Sequence, residues 1–165
     1  GTGYHFTTKH CIENIFELSK LNKFQNVLDY GSGSGILGIA AKKLMPYSKI
    51  TLIDKDNLAI KMTYLNLKKN NIKSNNNVFE VSSIKKKYIK RNFYNLILAN
   101  ILLPELKSLI KEFNYILGYN GVIIVSGILI NQKNNLINLY RKFKIYPVKI
   151  SEDEKWITII FKKIK

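Results

Sequence analysis

The sequence predicts an α/β domain on a mostly parallel, doubly wound sheet of seven strands that closes with a C-terminal antiparallel hairpin. Short apolar runs alternate with helical patterns five times, which is the signature of a parallel sheet covered on both faces. A glycine-rich turn, "DYGSGSG", joins the first such run to a helical pattern. The tail, "KIYPVKISEDEKWITIIFKKI", holds two strand-like segments around an acidic turn, with no room for a crossover helix, so they should pair antiparallel. At 165 residues the chain suits one domain, residues 1–165, with a sizeable core.

From about Thr8 to Leu21 the pattern is helical, with Thr7 or Thr8 as a cap and Ile12, Ile15, Phe16 and Leu18 as the apolar stripe. "NVLDYG" reads as a buried strand, and "SGILGIAAKKLM" as a helix stopped near Pro46. "SKITLID" is a second strand ending in an acid, and "NLAIKMTYLNLKKN" a helix that Asp56 should cap. The Asn75–Asn77 run is a loop before the strand "NNNVFEV". "SSIKKKYIKRN" carries basic residues on every face and stays ambiguous. "FYNLILAN" is a fourth strand, followed by the helix "LPELKSLIKEFNYIL" with Gly118 at its C-terminal end. "GVIIVSGIL" is the fifth strand and "NQKNNLINLYRKF" the next helix.

The formal net charge is +16, from 27 Lys+Arg against 11 Asp+Glu. Such a balance fits a nucleic-acid surface. It fits compositional drift as well: only Arg91 and Arg141 are arginine, alanine occurs only at Ala40, Ala41, Ala59 and Ala99, and Lys, Asn, Ile, Tyr and Phe are the residues of AT-rich codons. A dedicated phosphate surface more often uses arginine. Weak, non-specific contact with RNA is expected on either reading. No apolar run reaches the length of a membrane span, and the sequence shows no basic n-region followed by an apolar h-region, so no signal peptide is expected in it. The single cysteine, Cys11, excludes an internal disulfide and reads as a small buried hydrophobe. A cytoplasmic monomer without membrane contact or bound metal is the expectation.

Strand, glycine loop and helix form a mononucleotide-binding arrangement, in which bare backbone and a helix N-terminus meet the ligand. No Gly-Lys-Ser/Thr follows, so this is not a phosphate-binding P-loop. Gly31, Gly33 and Gly35 give G-x-G-x-G rather than the dinucleotide G-x-G-x-x-G, with Gly38 three residues on. Asp29, two residues before the first glycine, would repel a pyrophosphate and suits a ligand with positive charge, such as a sulfonium with an amino group. Asp54 ends the second strand, and its carboxylate can accept both hydroxyls of a ribose. D-x-G-x-G-x-G followed about twenty residues later by such an acid resembles the S-adenosylmethionine site of class I methyltransferases, which have a Rossmann-like fold. A tight strand–helix turn without any cofactor is the alternative.

Further stretches narrow the resemblance. "GTGYHFTTKHC" is similar to the G-T-G-x-H-x-T-T-x-x-C segment of ribosomal protein L11 methyltransferases. "LDYGSGSGILGIAAKKL" resembles their glycine loop, with Ser32 where cysteine is usual. "LANILLPEL", "VSGIL" followed by Gln132, and Trp156 after "EDEK" are similar to their A-N-I-L, S-G-I-L-x-x-Q and E-E-W segments, in order. The resemblance implies S-adenosyl-L-methionine as cofactor and ribosomal protein L11 as protein substrate, methylated on lysine ε-amines and the N-terminal α-amine. It implies cofactor contacts from Thr8, beside the methionine end, from Gly31, from Asp54 at the ribose and from Asn100. Together with Asp29, Gly33 and Gly35 these form the expected cofactor set.

Members of that family carry an N-terminal domain that grips the substrate, whereas this chain begins at the first motif of the catalytic domain. It is therefore a fragment or a form that lost the domain. Leu103 stands where the family has the alanine of N-I-L-A, either narrowing the acceptor channel or packing in the core.

Methyl transfer from a sulfonium is an in-line displacement in which positioning does much of the work. The acceptor lysine, with an ordinary pKa of about 10.4, must lose its proton, which exclusion of water promotes. Asn100 and His5 are the candidate catalytic residues. The Asn100 amide oxygen can accept from an incoming amine, or the residue only caps its strand. His5 lines the site and helps proton loss, or makes a structural hydrogen bond. His10 has no evident partner and reads as surface. Glu105 has a sufficient structural role in the first turn of its helix, beside Pro104. Trp156 lies on the substrate side or in the core. Lys85–Arg91 is a solvated face or an rRNA contact. The alternatives to L11 are a class I methyltransferase acting on rRNA or on another translation protein, and a non-catalytic basic module that binds RNA or the ribosome. A protein glutamine is disfavoured, because N-P-P-Y is expected there and "NILL" is found.

Overall fold

A computed structural model describes residues 6–73, 77–80 and 89–165. His5, Asn75, Asn76 and the stretch from Lys85 to Tyr88 lie outside these described residues. The chain order is α1 (Phe6–Leu21), β1 (Asn26–Tyr30), α2 (Ile36–Leu44), β2 (Lys49–Asp54), α3 (Asn57–Lys69), β3 (Val78–Glu80), β4 (Tyr94–Asn100), α4 (Leu103–Ile116), β5 (Leu117–Leu129), α5 (Lys133–Arg141), β6 (Ile145–Asp153) and β7 (Trp156–Lys163).

Seven strands form one sheet in the order β3-β2-β1-β4-β5-β7-β6. The pairs among β1 to β5 are parallel, and β7 runs antiparallel to both β5 and β6. This is the predicted sheet, with the hairpin turned so that β7 is inside and β6 at the edge. β6 suits an edge: most of its residues are exposed or half-buried, and it carries Pro147 and Lys149.

Strand periodicity divides the core in two. Leu28, Ile97, Ala99, Ile123, Val125, Ile159 and Phe161 face α4 and α5. Val27, Leu96, Leu98, Val122, Ile124 and Ile160 face α1, α2 and Leu67 of α3. Chain direction reverses between β1 and β4: β1 leads outward to β2 and β3, β4 leads the other way to β5. Ligands of open α/β sheets bind beyond the strand ends at such a switch point.

Several local expectations need correction. Thr7 and Thr8 are not caps; both are buried inside α1, on a face shared with Cys11, Asn14 and Ile15. Of the expected stripe only Ile15 is fully buried, and Phe16 is exposed with the Lys20 ammonium 3.9 Å above its ring. The stripe was misplaced because two threonines, an asparagine and a cysteine make up most of the buried face. Gly118 does not end α4 with a left-handed turn. The helix passes into β5 through extended Leu117, and Asn120 takes the left-handed conformation at φ 61°, which asparagine tolerates. Asp56 caps α3 as expected, accepting from the Leu58 N–H at 2.8 Å.

The turn from β1 into α2 is fastened from beneath. Gly35 at the N-cap of α2 offers no side chain to the free N–H groups of the first turn. The buried Asp29 carboxylate supplies the acceptor, taking the Gly38 N–H at 2.8 Å. A Cβ at Gly38 would lie 2.6 Å from Leu52 Cδ2 and 3.1 Å from Asp29 Oδ2, so a side chain there would have to displace Leu52. Burial raises Asp29 from 3.8 to about 7, Asp54 adds to the rise, and the Gly38 hydrogen bond opposes it. Between those two values the folded chain holds a proton that the unfolded chain has released, so rising pH favours unfolding through this group. Thermal melts from pH 4 to 7.5 should therefore fall more steeply for the parent than for Asp29→Asn. A difference of several degrees is expected, as about 1 kcal/mol moves Tm by roughly 2–4 °C at this size. Parallel slopes would refute the shift.

Candidate functional site

The expected cofactor residues that are described gather at the C-terminal ends of β1, β2 and β4. Gly31, Gly33 and Gly35 all have positive φ, at 69°, 56° and 78°. The chain can therefore curl over the sheet edge without side chains between backbone and ligand. At Gly31 the approach is also steric: an added Cβ would sit 2.5 Å from Ile101 Cγ2, across the switch point. The Gly31 and Ser32 N–H groups bond the Ile53 carbonyl at 2.9 and 3.0 Å.

Asp54 serves two backbone donors. Its Oδ2 accepts from the Gly33 N–H at 2.8 Å, and its Oδ1 from the Asp56 N–H at 3.0 Å. A carboxylate has about four lone-pair sites, so the half-buried group keeps acceptor capacity for a ligand's hydroxyls. Asp29 differs. It lies beneath the loop, buried, with its carboxylate on the Gly38 N–H.

Asn100 ends β4, and its Nδ2 lies 3.4 Å from Thr8 Oγ1 and 3.5 Å from Thr7 Oγ1. Two residues separated by most of the chain are thus neighbours, as the cofactor set expects of Thr8 and Asn100. With the amide nitrogen turned toward α1, the oxygen faces the other way. It lies 3.2 Å from where a Cβ of Gly127 would be, and that Cβ would also meet the Ile101 carbonyl at 2.9 Å. Gly127 has φ 82° at the register shift between β5 and β7. The "SGIL" and "NIL" stretches therefore pack on each other, and Gly127 is a site residue that the sequence reading passed over.

Two more were missed. On α3, buried Thr63 donates to the Gly33 carbonyl at 3.0 Å and lies 3.5 Å from Ser32 Oγ. Asn66 donates to the Ser34 carbonyl at 2.8 Å. Their signal was a pair of polar residues three apart, on the helix face that returns to the loop. Ser32, in place of cysteine, joins this polar contact.

A cleft of about 330 Å³ opens beside the loop, lined by Tyr30, Gly31, Asp54, Lys55, Ile101 and Glu105, among others. That volume lies in the range of small-molecule sites. Lys55 and Glu105 form an ion pair among its lining residues, and Glu105 holds Lys55 above the usual amine range. Glu105 thus shapes the cleft as well as starting α4. Burial, with Glu112, Glu105 and Asp54 nearby, pushes Tyr30 up to about 12, so its hydroxyl stays neutral at physiological pH.

The remaining candidates fall into place around this edge. His10 is not partnerless: its Nε2 lies 3.7 Å from Asp153 Oδ2, linking α1 to the hairpin turn. Leu103 packs in the core against the α4 face of the sheet, which favours the packing role. Gln132 accepts from the Leu129 N–H at 3.1 Å and so holds the turn after "SGIL". Trp156 is half-buried at the start of β7, opposite Leu129. Cys11 is fully buried, as expected. No helix among the described residues is long and apolar enough to cross a membrane.

Comparison with known proteins agrees with this geometry. The family model described as ribosomal protein L11 methyltransferase matches residues 1–164. Proteins named ribosomal protein L11 methyltransferase from Prochlorococcus marinus and Agrobacterium fabrum are 38% and 31% identical, each over 99% of this chain, but over 54% and 56% of their own lengths. The chain thus spans about half the length of the curated relatives it matches. A crystal structure of ribosomal protein L11 methylase from Lactobacillus delbrueckii subsp. bulgaricus matches at a TM-score of 0.83 and 25% identity, covering 99% of this chain and 81% of that one. The chain belongs to the ribosomal protein L11 methyltransferase family.

Proposed function

We propose that the chain binds S-adenosylmethionine at the β1–β4 switch point and methylates amines of ribosomal protein L11, the lysine ε-amines and the N-terminal α-amine. The observation that carries this reading is the meeting of Thr8 and Asn100 beside a left-handed glycine loop tied to Asp54. The residues fit the cofactor. The bare loop admits close approach, Asp54 retains lone pairs for two hydroxyls, and buried Asp29 adds negative charge beneath a cationic ligand.

When bound, S-adenosylmethionine supplies a methyl group on a good leaving group. The chain's own work is to orient and to exclude water. Asn100, its nitrogen held by Thr7 and Thr8, offers Oδ1 to the N–H of an incoming amine. An acceptor there favours an amine whose lone pair points away from the asparagine. Exclusion of water when cofactor and acceptor fill the site disfavours the ammonium form and assists proton loss.

Calorimetry with S-adenosylmethionine should show binding that Asp54→Ala weakens at least tenfold, with Asp54→Asn losing less. An intact chain that binds none would overturn the enzyme reading. With labelled cofactor and purified L11, mass spectrometry should place the label on L11 amines; label on rRNA alone would refute the acceptor. Asn100→Ala should lower the transfer rate tenfold or more, with a smaller loss of cofactor affinity. Equal rates for variant and parent would leave Asn100 as a strand cap only.

A further inference from the structure

The edge of the sheet opposite the candidate site carries a second concavity, of about 630 Å³. Six cations line it: Arg91, Lys111, Lys142, Lys144, Lys163 and Lys165. They come from four separate places, namely the turn before β4, the middle of α4, the turn after α5 and the end of β7. None of the six forms an ion pair among the described residues, where the pairs are Lys9–Glu13, His10–Asp153, Lys55–Glu105, Lys133–Glu152 and Lys149–Glu17. All 11 acidic residues of the chain are described, and no acid lines this groove.

Two tyrosines stand among the cations, Tyr115 at 50% and Tyr119 at 49% exposure. Each ring therefore keeps about half of its surface in water beside these cations. At the floor, Lys163 donates to the carbonyls of Asn114 and Leu117 at 2.5 and 2.8 Å, and its Nζ lies 5.2 Å from the Tyr119 ring centre. Burial and the neighbouring Arg91 lower Lys163 from its ordinary value, a cost that an incoming anion relieves.

We propose that this groove binds single-stranded RNA, with the cations on phosphates and Tyr115 and Tyr119 stacked on bases. Cations tracking a backbone with aromatic rings between them are what an unpaired strand requires, whereas a duplex hides its base faces. An acidic peptide would use the cations and leave the rings idle. The choice of RNA over DNA rests on the proposed ribosomal acceptor, whose surroundings are RNA. The groove and the methyl-transfer site occupy opposite edges, so one molecule can hold RNA while the other edge faces an acceptor.

The test is fluorescence anisotropy of a labelled oligouridine of about 12 nucleotides with the 165-residue chain, without cofactor or L11, so its outcome is separate from that of the methylation assays. Arg91→Glu with Lys111→Glu, both exposed, should weaken binding at least tenfold and flatten the salt dependence by about 1.4, or roughly 0.7 per phosphate contact. Lys61→Glu with Lys68→Glu, exposed on α3, changes net charge equally and should weaken binding less than threefold. Tyr115→Ala with Tyr119→Ala should weaken binding fivefold or more and leave the salt slope unchanged. Unaltered melting temperatures show that each variant is folded. Equal losses from the two charge reversals would show that net charge alone acts. An unchanged tyrosine double variant, tighter binding to the matching oligothymidine, or equal competition by polyglutamate would each overturn the proposal.

Discussion

The hydrogen bond from the Gly38 N–H to the buried Asp29 carboxylate is the constraint on which the candidate site depends. A helix that begins immediately after a strand has N–H groups without partners, and its N-cap glycine supplies no side chain. Satisfying them from beneath, with a carboxylate on β1, leaves the upper side of the loop free of side chains. Three consequences follow in space. A Cβ at Gly38 would press on the Leu52 side chain and on Asp29, so the space there is tight. Gly31 must lack one because Ile101 stands against it. Asp54, across on β2, takes the Gly33 N–H, so one acid holds the middle of the loop and the other the first turn of the helix that follows. Each bond of this kind to a charged acceptor contributes about 1.5–3 kcal/mol, but a buried carboxylate also costs desolvation. Burial accordingly pushes Asp29 up to about 7.

The second dependence is between strand ends. Asn100 turns its nitrogen toward Thr8 and its oxygen into a space on its other side. That space is left by Gly127, at the point where the β5–β7 register slips. A side chain there would crowd Asn100 Oδ1 and the Ile101 carbonyl together. Ser126, one residue earlier, bonds Thr158 at 2.7 Å and the Ile157 carbonyl at 3.2 Å, which keeps the shifted strand in place. The "VSGIL" segment thus shapes the site without presenting a reactive group, and the two motifs are legible only as a pair.

What the sequence revealed divides along physical lines. Strands buried on both faces announce themselves as apolar runs, so β1, β2, β4 and β5 were plain, and the acidic turn between two apolar runs disclosed the hairpin. The glycine loop, Asp54 and Asn100 were legible because each sits at a strand end, where one residue type does one job. α1 was misread because its buried face is polar: Thr7, Thr8 and Asn14 pack where an apolar stripe is the usual signal. Gly118 was misread because asparagine took the left-handed position two residues later. Thr63, Asn66 and Gly127 were not found, since their roles come from tertiary neighbours 30 or more residues away, or across a register shift. His10 needed the hairpin folded back before Asp153 could be seen as its partner.

Charge illustrates the same division. A net charge of +16 says little, because drift in composition produces it, but its placement is informative. In a parallel α/β sheet the helices begin at the edge where strands end, and helix dipoles favour acids there and bases at the opposite edge. Part of the polarity has this ordinary origin: Asp56 caps α3 and Glu105 lies in the first turn of α4, while Lys42 and Lys43, Lys68 and Lys69, and Arg141 close α2, α3 and α5. The dipole accounts for only part of the basic groove. α4, which contributes Lys111, has no basic residue in its last turn. Lys163 does bond the last carbonyls of α4, and Lys142 is the C-cap of α5, but Arg91 stands in a turn, Lys111 lies in the middle of α4 and Lys165 lies beyond β7, so helix ends gathered only part of the set. What helix ends leave unexplained is the meeting of Arg91, Lys111 and Lys165 beside two half-exposed rings, and a polyanion with stackable faces fits that meeting.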